Sequence, residues 1–165
     1  MKQRQKGFGV LEVIIAIFIL VVGLLALFGL SSRYLQAATN LKMKLTASFL
    51  AQEGIEIVRY VREARSEWSE WEWYKDPSEG GRSIGSSDTF IVEYSTADLL
   101  DYVDTPLLLD NGYYQYTSGQ PSPFSRKLTL TRLSDDELKV EVEVKWEDRL
   151  GWHYIRAEDR LWNWK

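Results

Sequence analysis

The chain has 165 residues, a formal charge of −4, no cysteine and one histidine. The lack of cysteine excludes thiol catalysis, a disulfide framework and a cysteine-based metal site. One histidine argues against a His-rich metal site and a Ser-His-Asp hydrolase, and the net negative charge argues against a general nucleic-acid-binding surface. With 45% hydrophobic and 27% charged residues, the chain is long enough for one small globular domain and one apolar segment.

The first thirty residues are a short basic stretch followed by a long apolar one. Residues 1–7, MKQRQKG, contain Lys2, Arg4 and Lys6 and no acid. From Val13 to Leu30, 18 consecutive residues have no charged or strongly polar side chain, and as a helix they would span about 27 Å, close to the hydrocarbon core of a bilayer. The positive-inside rule places the amino terminus in the cytoplasm and everything after Leu30 outside.

Two ordinary interpretations of this segment are a cleaved secretory signal and an uncleaved anchor. A signal peptide has an apolar region of about 7–15 residues and a small-x-small cleavage site, whereas the nearest candidate here, Leu35-Gln36-Ala37, begins with a large residue. An uncleaved anchor fits better but leaves Glu12 unexplained. An ionised carboxylate near hydrocarbon costs about 2–3 kcal/mol and therefore indicates a partner or a function.

The string Lys6-Gly7-Phe8-Gly9-Val10-Leu11-Glu12 resembles the processing motif of type IV prepilins and type II secretion pseudopilins. In that motif a basic leader ends in glycine, phenylalanine follows, and a glutamate stands four places later. The resemblance implies that a prepilin peptidase cuts between Gly7 and Phe8 and N-methylates Phe8. It also implies that Glu12 pairs with the Phe8 amine of its own or a neighbouring subunit. The continuation Ile19–Leu30 is most similar to minor pilins of the pilus-modification type and to the related minor pseudopilin.

Beyond Leu30 the apolar residues recur every three or four positions, which predicts an amphipathic helix. The two sets are Ala38, Leu41, Leu45 and Phe49, followed by Ile55, Val58 and Val61. Together with the apolar run they predict one helix from Phe8 to about Arg65, with its first half in the membrane and its second half packed on a head.

The remainder predicts an antiparallel sheet of three or four strands laid on the helix, from β-rich or alternating segments. These segments are Thr89–Tyr94, Arg126–Thr131, Lys139–Trp146 and Trp152–Arg156. Turns are expected at 134–137 and 148–151, and loops between Asp98 and Pro123, with a tight turn at Asn111-Gly112. The predicted fold class is α+β, with a pilin-like long amino-terminal helix on a small antiparallel sheet.

We therefore expect a leader at residues 1–7, a transmembrane and assembly helix at 8–30, its amphipathic continuation at 31–66 and an extracytoplasmic head at 67–165. The resemblance implies a structural subunit of a pilus or pseudopilus rather than an enzyme, located in the inner membrane and then at the cell surface. Its implied partners are the prepilin peptidase/methyltransferase, other pilin subunits, the inner-membrane assembly machinery and membrane lipid. No cofactor and no nucleic-acid partner is predicted.

Several alternatives stay open at this point. A single-span anchored binding domain would use the aromatic cluster at residues 68–74 for a ligand, although packing under the head is the simpler role for that cluster. An enzyme would need a nucleophile, base or metal set, and none is recognisable; His153 is better explained as a strand residue. The acids Asp98, Asp101, Asp104 and Asp110 do not have the spacing of an EF-hand, so no metal site is predicted from them.

Overall fold

The computed structural model describes residues 9–64, 87–93, 99–134, 136–149 and 151–162. They fall into two compact units, divided between Met43 and Lys44. A single helix, α1 (Val10–Ala64), runs through both, which confirms the predicted helix within one or two residues of each end.

In the first unit the described residues are helical from Val10 onward. α1 contains an 18-residue window that is long and apolar enough to cross a membrane by length and composition, and none of that window is buried. Its valine, leucine, isoleucine and phenylalanine side chains are all exposed. Because nothing polar interrupts them, the helix presents an apolar surface on every side, as a membrane span does.

The described residues of the second unit form the last part of α1 and eight strands, in two antiparallel sheets. The strands are β1 (Asp88–Val92), β2 (Leu99–Asp101), β3 (Leu108–Asp110), β4 (Tyr113–Gln115), β5 (Gln120–Pro121), β6 (Phe124–Arg132), β7 (Glu137–Asp148) and β8 (Gly151–Trp162). The larger sheet has the order β2-β1-β6-β7-β8, and the smaller one the order β4-β3-β5.

The three long strands form where apolar and polar residues alternate most regularly. β6 and β7 bury every second side chain, because a half-covered strand places successive side chains on opposite faces. The predicted hairpins are confirmed, since β6 pairs with β7 and β7 with β8. The larger sheet has five strands rather than the three or four expected.

The interpretation of residues 98–123 as loops was wrong, because β2 to β5 lie there. Each of these strands is only two or three residues long, which is too short for alternation to identify a strand. The tight turn at Asn111-Gly112 is confirmed: both residues have positive φ, 49° and 89°, and they connect the pair Asp110 and Tyr113. Left-handed conformations at both central residues are typical of a type I′ hairpin.

The face of α1 that packs on the larger sheet differs partly from the predicted one. Ile55, Val58 and Val61 are buried as expected, but Leu45 and Phe49 are 55% and 61% exposed. The buried residues nearest to them are Ala47, Leu50 and Ala51. A step of four residues turns the helix by about 400°, so a stripe with strict four-residue spacing drifts by about 40° per step away from the sheet.

Gly54 lies where α1 approaches the sheet most closely. A Cβ at this position would be 3.0 and 3.1 Å from the two methyl groups of Val142, and 3.4 Å from Cδ of Arg126. The absence of a side chain therefore lets α1 lie directly on β7. Its role is close packing, which requires no bend in the helix.

Gly54→Val should reduce the free energy of unfolding by about 1–3 kcal/mol, because the added methyl groups overpack a closed interface. Chemical denaturation of the detergent-purified chain, followed by tryptophan fluorescence, measures this. Gln52→Val is the matched control: it places the same side chain on the exposed side of α1 and should change stability by no more than about 0.5 kcal/mol. A Gly54→Val chain as stable as wild type would contradict the close-packing role.

Arg126 joins α1 to the sheet from within the core. It is 1% exposed, and its guanidinium donates to the carbonyl oxygens of Leu50 on α1, at 3.2 Å, and Val92 on β1, at 2.6 Å. Its Nη1 is also 3.3 Å from Oε2 of Glu53. A buried charge is tolerated only when it is paired and hydrogen-bonded. Through these contacts Arg126 binds two carbonyl oxygens and one carboxylate, and so connects α1 to β1.

Arg126→Ala should cost about 3–5 kcal/mol, since it removes a buried cation and leaves two buried carbonyls without these donors. Glu53→Gln should cost clearly less, because the Glu53 side chain is 33% exposed and Arg126 keeps both carbonyls. Urea unfolding of both variants tests this order. Equal losses would show that the ion pair, rather than the carbonyl contacts, provides the stabilisation.

Candidate functional site

The first turn of α1 begins at the motif residues. The carbonyl oxygen of Gly9 accepts from the backbone N–H of Glu12 at 3.0 Å and of Val13 at 3.4 Å. Glu12 is therefore the third residue of the helix, within its first turn. A carboxylate at this end is favoured by the helix dipole by about 0.3–1 kcal/mol, which is consistent with a helix that starts immediately before it.

Glu12 is exposed and lies among apolar neighbours. Val10 and Leu11 are 79% and 72% exposed, and the uninterrupted apolar run begins at Val13. Among the residues that the structure describes, no cation lies within ion-pair distance of Glu12. The carboxylate thus stands at the end of an apolar helix and is available to a cation from outside the described part of the chain.

The other predicted site residues, Gly7 and Phe8, lie outside the described residues, as does the aromatic cluster at 68–74. The cleavage, the N-methylation and the pairing of Glu12 with the Phe8 amine therefore remain predictions. What the structure adds is the position of Glu12 in the first turn of α1, four places after Phe8 in the sequence.

The acids of the predicted loop region have separate partners. Asp110 accepts from the Ser118 hydroxyl at 2.9 Å, and Oδ2 of Asp104 lies 2.6 Å from Nζ of Lys145. Asp101 is on β2, and Asp98 lies outside the described residues. Among the described residues, no three His, Cys, Asp or Glu side chains are grouped closely enough to hold a metal ion.

An open cleft of about 260 Å³ lies on the outward face of the larger sheet, lined by Tyr102, Ser125, Lys127, Glu143, Lys145 and Tyr154. Its charged side chains are engaged with one another or with Asp104: Lys127 lies 3.6 Å from Glu143, and Lys145 2.6 Å from Asp104. The hydrogen bond from Lys145 lowers the pKa of the Asp104 carboxyl. Burial, with a hydrogen bond to Asp104, raises the pKa of Tyr102 to about 12. These are the properties of a paired surface network, and a ligand would have to displace its ion pairs.

His153 is a β8 residue, as predicted. Its ring stacks on Trp146 with centroids 5.3 Å apart and 21° between the planes, and its Nε2 is 2.9 Å from Oδ1 of Asp148. The stacking holds the His153 ring of β8 against Trp146 of β7, near the end of the β7–β8 hairpin.

Sequence reasoning missed the inward position of Arg126. Its signal was the parity of β6: Arg126 is separated by two and four residues from Leu128 and Leu130, which are fully buried. In a strand, residues of the same parity share a face, so the arginine had to lie in the core. The alternation of polar and apolar residues in 126–131 predicts a strand but does not by itself assign Arg126 to the core, since arginine is rarely buried.

Together, the apolar amino-terminal half of α1 and the packing of its carboxyl-terminal part on antiparallel sheets define an α+β protein with a pilin-like fold and one candidate membrane anchor. Residues 2–28 match the family model described as the prokaryotic N-terminal methylation motif. This match supports a type IV prepilin-like or pseudopilin-like protein, and the matched segment includes the start of α1. No curated protein and no solved structure shows significant similarity to it.

Proposed function

We propose that this chain is a structural subunit, of the minor class, of a type IV pilus or a related pseudopilus, processed by prepilin peptidase and assembled through α1. The observation that carries the proposal is the combination of the methylation motif at residues 2–28 with an apolar helical window of which no part is buried in the chain. Such a surface needs either lipid or the helices of other subunits around it.

Cleavage between Gly7 and Phe8 would change the amino terminus in two ways. It removes Lys2, Arg4 and Lys6, the charges that favour retention of this end in the cytoplasm. It also creates an amino group at Phe8, beside the apolar helix. The loss of the three cations favours withdrawal of α1 from the bilayer into a bundle of helices, and the new position of the amine places a cation four residues from Glu12.

The new amine is the partner we propose for Glu12. The carboxylate lies in the first turn of α1, and no described residue neutralises it. In a low-dielectric bundle an ammonium–carboxylate pair with charge-assisted hydrogen bonds offsets much of the cost of burying both charges. If the amine belongs to a neighbouring subunit, the pair fixes how far one helix is shifted along the next.

Exposed apolar residues further along α1 support assembly through the helix. Leu45 and Phe49 remain more than half exposed although the opposite side of the same helix is buried on the sheet. Neighbouring helices in a bundle would cover them. We propose that the amphipathic part of α1 thus contacts the head on one side and other subunits on the other.

The proposed arrangement keeps the leader, residues 1–7, in the cytoplasm, residues 8–30 in the inner membrane, and residues 31–66 and the head, 67–165, outside. Its partners are the prepilin peptidase/methyltransferase, other pilin subunits, the inner-membrane assembly machinery and lipid. The function is assembly, and the proposal assigns no catalytic step to the head.

Mass spectrometry of the protein isolated from its native membrane tests the proposal. The expected amino terminus is N-methylated Phe8, and Gly7→Val should instead retain Met1, because the residue before the cut would no longer be small. Met1 at the amino terminus of the wild-type protein would contradict the proposal and favour the anchored binding domain.

Glu12→Ala should insert into the membrane normally but enter filaments poorly, because the charge that pairs with the Phe8 amine is gone. Glu12→Gln is the matched variant: it keeps the shape of the side chain and should show the same loss if charge is what matters. Immunoblots of sheared filaments against the membrane fraction measure the ratio. Wild-type incorporation of both variants would remove the proposed role of Glu12.

A further inference from the structure

The outer edge of β8 is the longest unpaired strand edge in the described part of the chain. β8 is the last strand of the larger sheet and pairs with β7 through twelve consecutive residues without a bulge. It contains no proline, and its only glycine is the first residue. Proteins usually shorten, bend or interrupt such edges because their free N–H and C=O groups accept another strand. β8 is neither short nor interrupted, and the protective features it has are charged side chains: Arg156, Glu158 and Arg160 on the outward face, and Asp159 on the inward face, where it pairs with Arg59.

The outward face of β8 is large, aromatic and charged. Trp152, Tyr154 and Trp162 are each about half exposed, at 54%, 55% and 48%. Arg156, Glu158 and Arg160 lie between Tyr154 and Trp162 on the same face, so the order of the outward residues is Trp152, Tyr154, Arg156, Glu158, Arg160, Trp162. This order has a chemical symmetry about Ala157: aromatic residues stand at both ends and opposite charges meet at the centre.

The symmetry gives complementary pairs when two β8 strands are placed antiparallel with their Ala157 residues opposite each other. Residues directly opposite in an antiparallel ladder share a face and have Cβ atoms about 4.5–5.5 Å apart. The outward pairs, each formed twice, are then Trp152 with Trp162, Tyr154 with Arg160, and Arg156 with Glu158. These are aromatic, cation–π and opposite-charge pairs, all of which stabilise sheets.

Other registers are less favourable. If the pair is centred on Arg156, that arginine lies opposite its own copy. If the pair is centred on Glu158, two glutamates lie opposite each other, and Arg156 lies opposite Arg160. Centring it between two residues places outward side chains opposite inward ones. More distant centres leave more of the strand unpaired, so charge complementarity selects Ala157 as the centre.

We propose that β8 pairs with β8 of a second copy of this chain, antiparallel and centred on Ala157, so that two five-stranded sheets join into one of ten strands. The proposal does not depend on the proposed function, because it rests on the β8 edge alone. A two-fold contact closes on itself, whereas a helical filament needs open head-to-tail contacts. The pair is therefore an additional contact, distinct from assembly through α1.

The direction of α1 on the sheet restricts where this contact forms. α1 reaches from Arg126 on β6 to Asp159 on β8, where Arg59 lies 2.9 Å from the carboxylate, so it lies across the sheet face. The two-fold axis stands perpendicular to the joined sheet and reverses the helix. Neighbours in one filament have parallel helices, so the β8 pair joins chains that are not neighbours in the same filament.

Single-cysteine cross-linking of the detergent-purified full chain tests the pairing, because the native chain has no cysteine. Ala157→Cys places two thiols opposite each other at the two-fold axis, at a separation close to that of a disulfide. With a mild oxidant it should form a covalent dimer. Ile155→Cys is the matched control on the same strand and face: its two copies would be four residues apart along the ladder, about 13 Å, and should cross-link about tenfold more slowly or less.

Charge complementation tests the register. In the Ala157→Cys background, Arg156→Glu opposes two glutamates and Glu158→Arg opposes two arginines, so each variant alone should cross-link about tenfold more slowly, since like charges directly opposite destabilise a ladder. A mixture of the two chains restores opposite charges at both positions and should recover the original rate. Two results would overturn the proposal. One is equal cross-linking rates for Ala157→Cys and Ile155→Cys. The other is a mixture of the two charge variants that cross-links no faster than each variant alone.

Hydrogen exchange on the unmodified chain tests the same contact without a substitution. The β8 amides should become better protected as the protein concentration rises, whereas those of β2, the opposite edge strand, should not change. If the protection of β8 is independent of concentration over the range used for cross-linking, the strand has no partner of its own kind and the proposal fails.

Discussion

The apolar surface of α1 from Val13 to Leu30 is the constraint on which the rest depends. These eighteen residues have no charged or strongly polar side chain, and exposing their apolar surface to water costs about 25 cal/mol per Å². The described chain does not bury the apolar window of α1. The surface must be covered by something else. Lipid covers it in an anchor and other helices cover it in a bundle, and the proposed function is a passage from the first environment to the second.

Glu12 is the feature that makes this passage specific. A helix that only anchored the protein would be more stable in the membrane without an acid in its first turn. The acid becomes favourable when an amine reaches it, and the proposed cleavage at the Gly7–Phe8 bond would provide one four residues away in sequence. The proposed passage of α1 from lipid into a bundle thus explains the motif, the apolar run and the acid together. Each of the three on its own could have another explanation.

The head is held on α1 by a few close contacts. Gly54 lets the helix touch Val142, and Arg126 binds carbonyl oxygens from both α1 and β1. The hydrogen bonds of Arg126 are short and directional, and the packing at Gly54 depends on the fit of the two surfaces, so both weaken when the helix and sheet shift relative to each other. In the proposed assembly, these contacts would make the head follow its helix.

The sequence predicts this structure well where a pattern extends over many residues, and poorly elsewhere. The helix from Val10 to Ala64 and the strands β6 and β7 follow from long periodic segments. The strands between Leu99 and Pro121 are too short for a period to show, and only Asn111-Gly112 indicated a hairpin there. Phe49 was assigned to the buried face because spacing of three or four residues describes two different stripes on this helix, and only the sheet selects between them. Glu12 can be predicted from sequence alone because an acid beside an apolar run is unusual, whereas its proposed partner, the Phe8 amine, lies outside the described residues.

The distance between the Phe8 amine and the Glu12 carboxylate in the native assembly tests the central claim most directly. Solid-state NMR on assemblies with ¹⁵N-labelled phenylalanine and ¹³C-labelled glutamate can measure the coupling between the Phe8 amine nitrogen and Glu12 Cδ. We expect a separation of about 4 Å or less, as in an ion pair. A separation near 8 Å or more, with Glu12 paired to another cation or protonated, would contradict the claim that cleavage creates the partner of this acid.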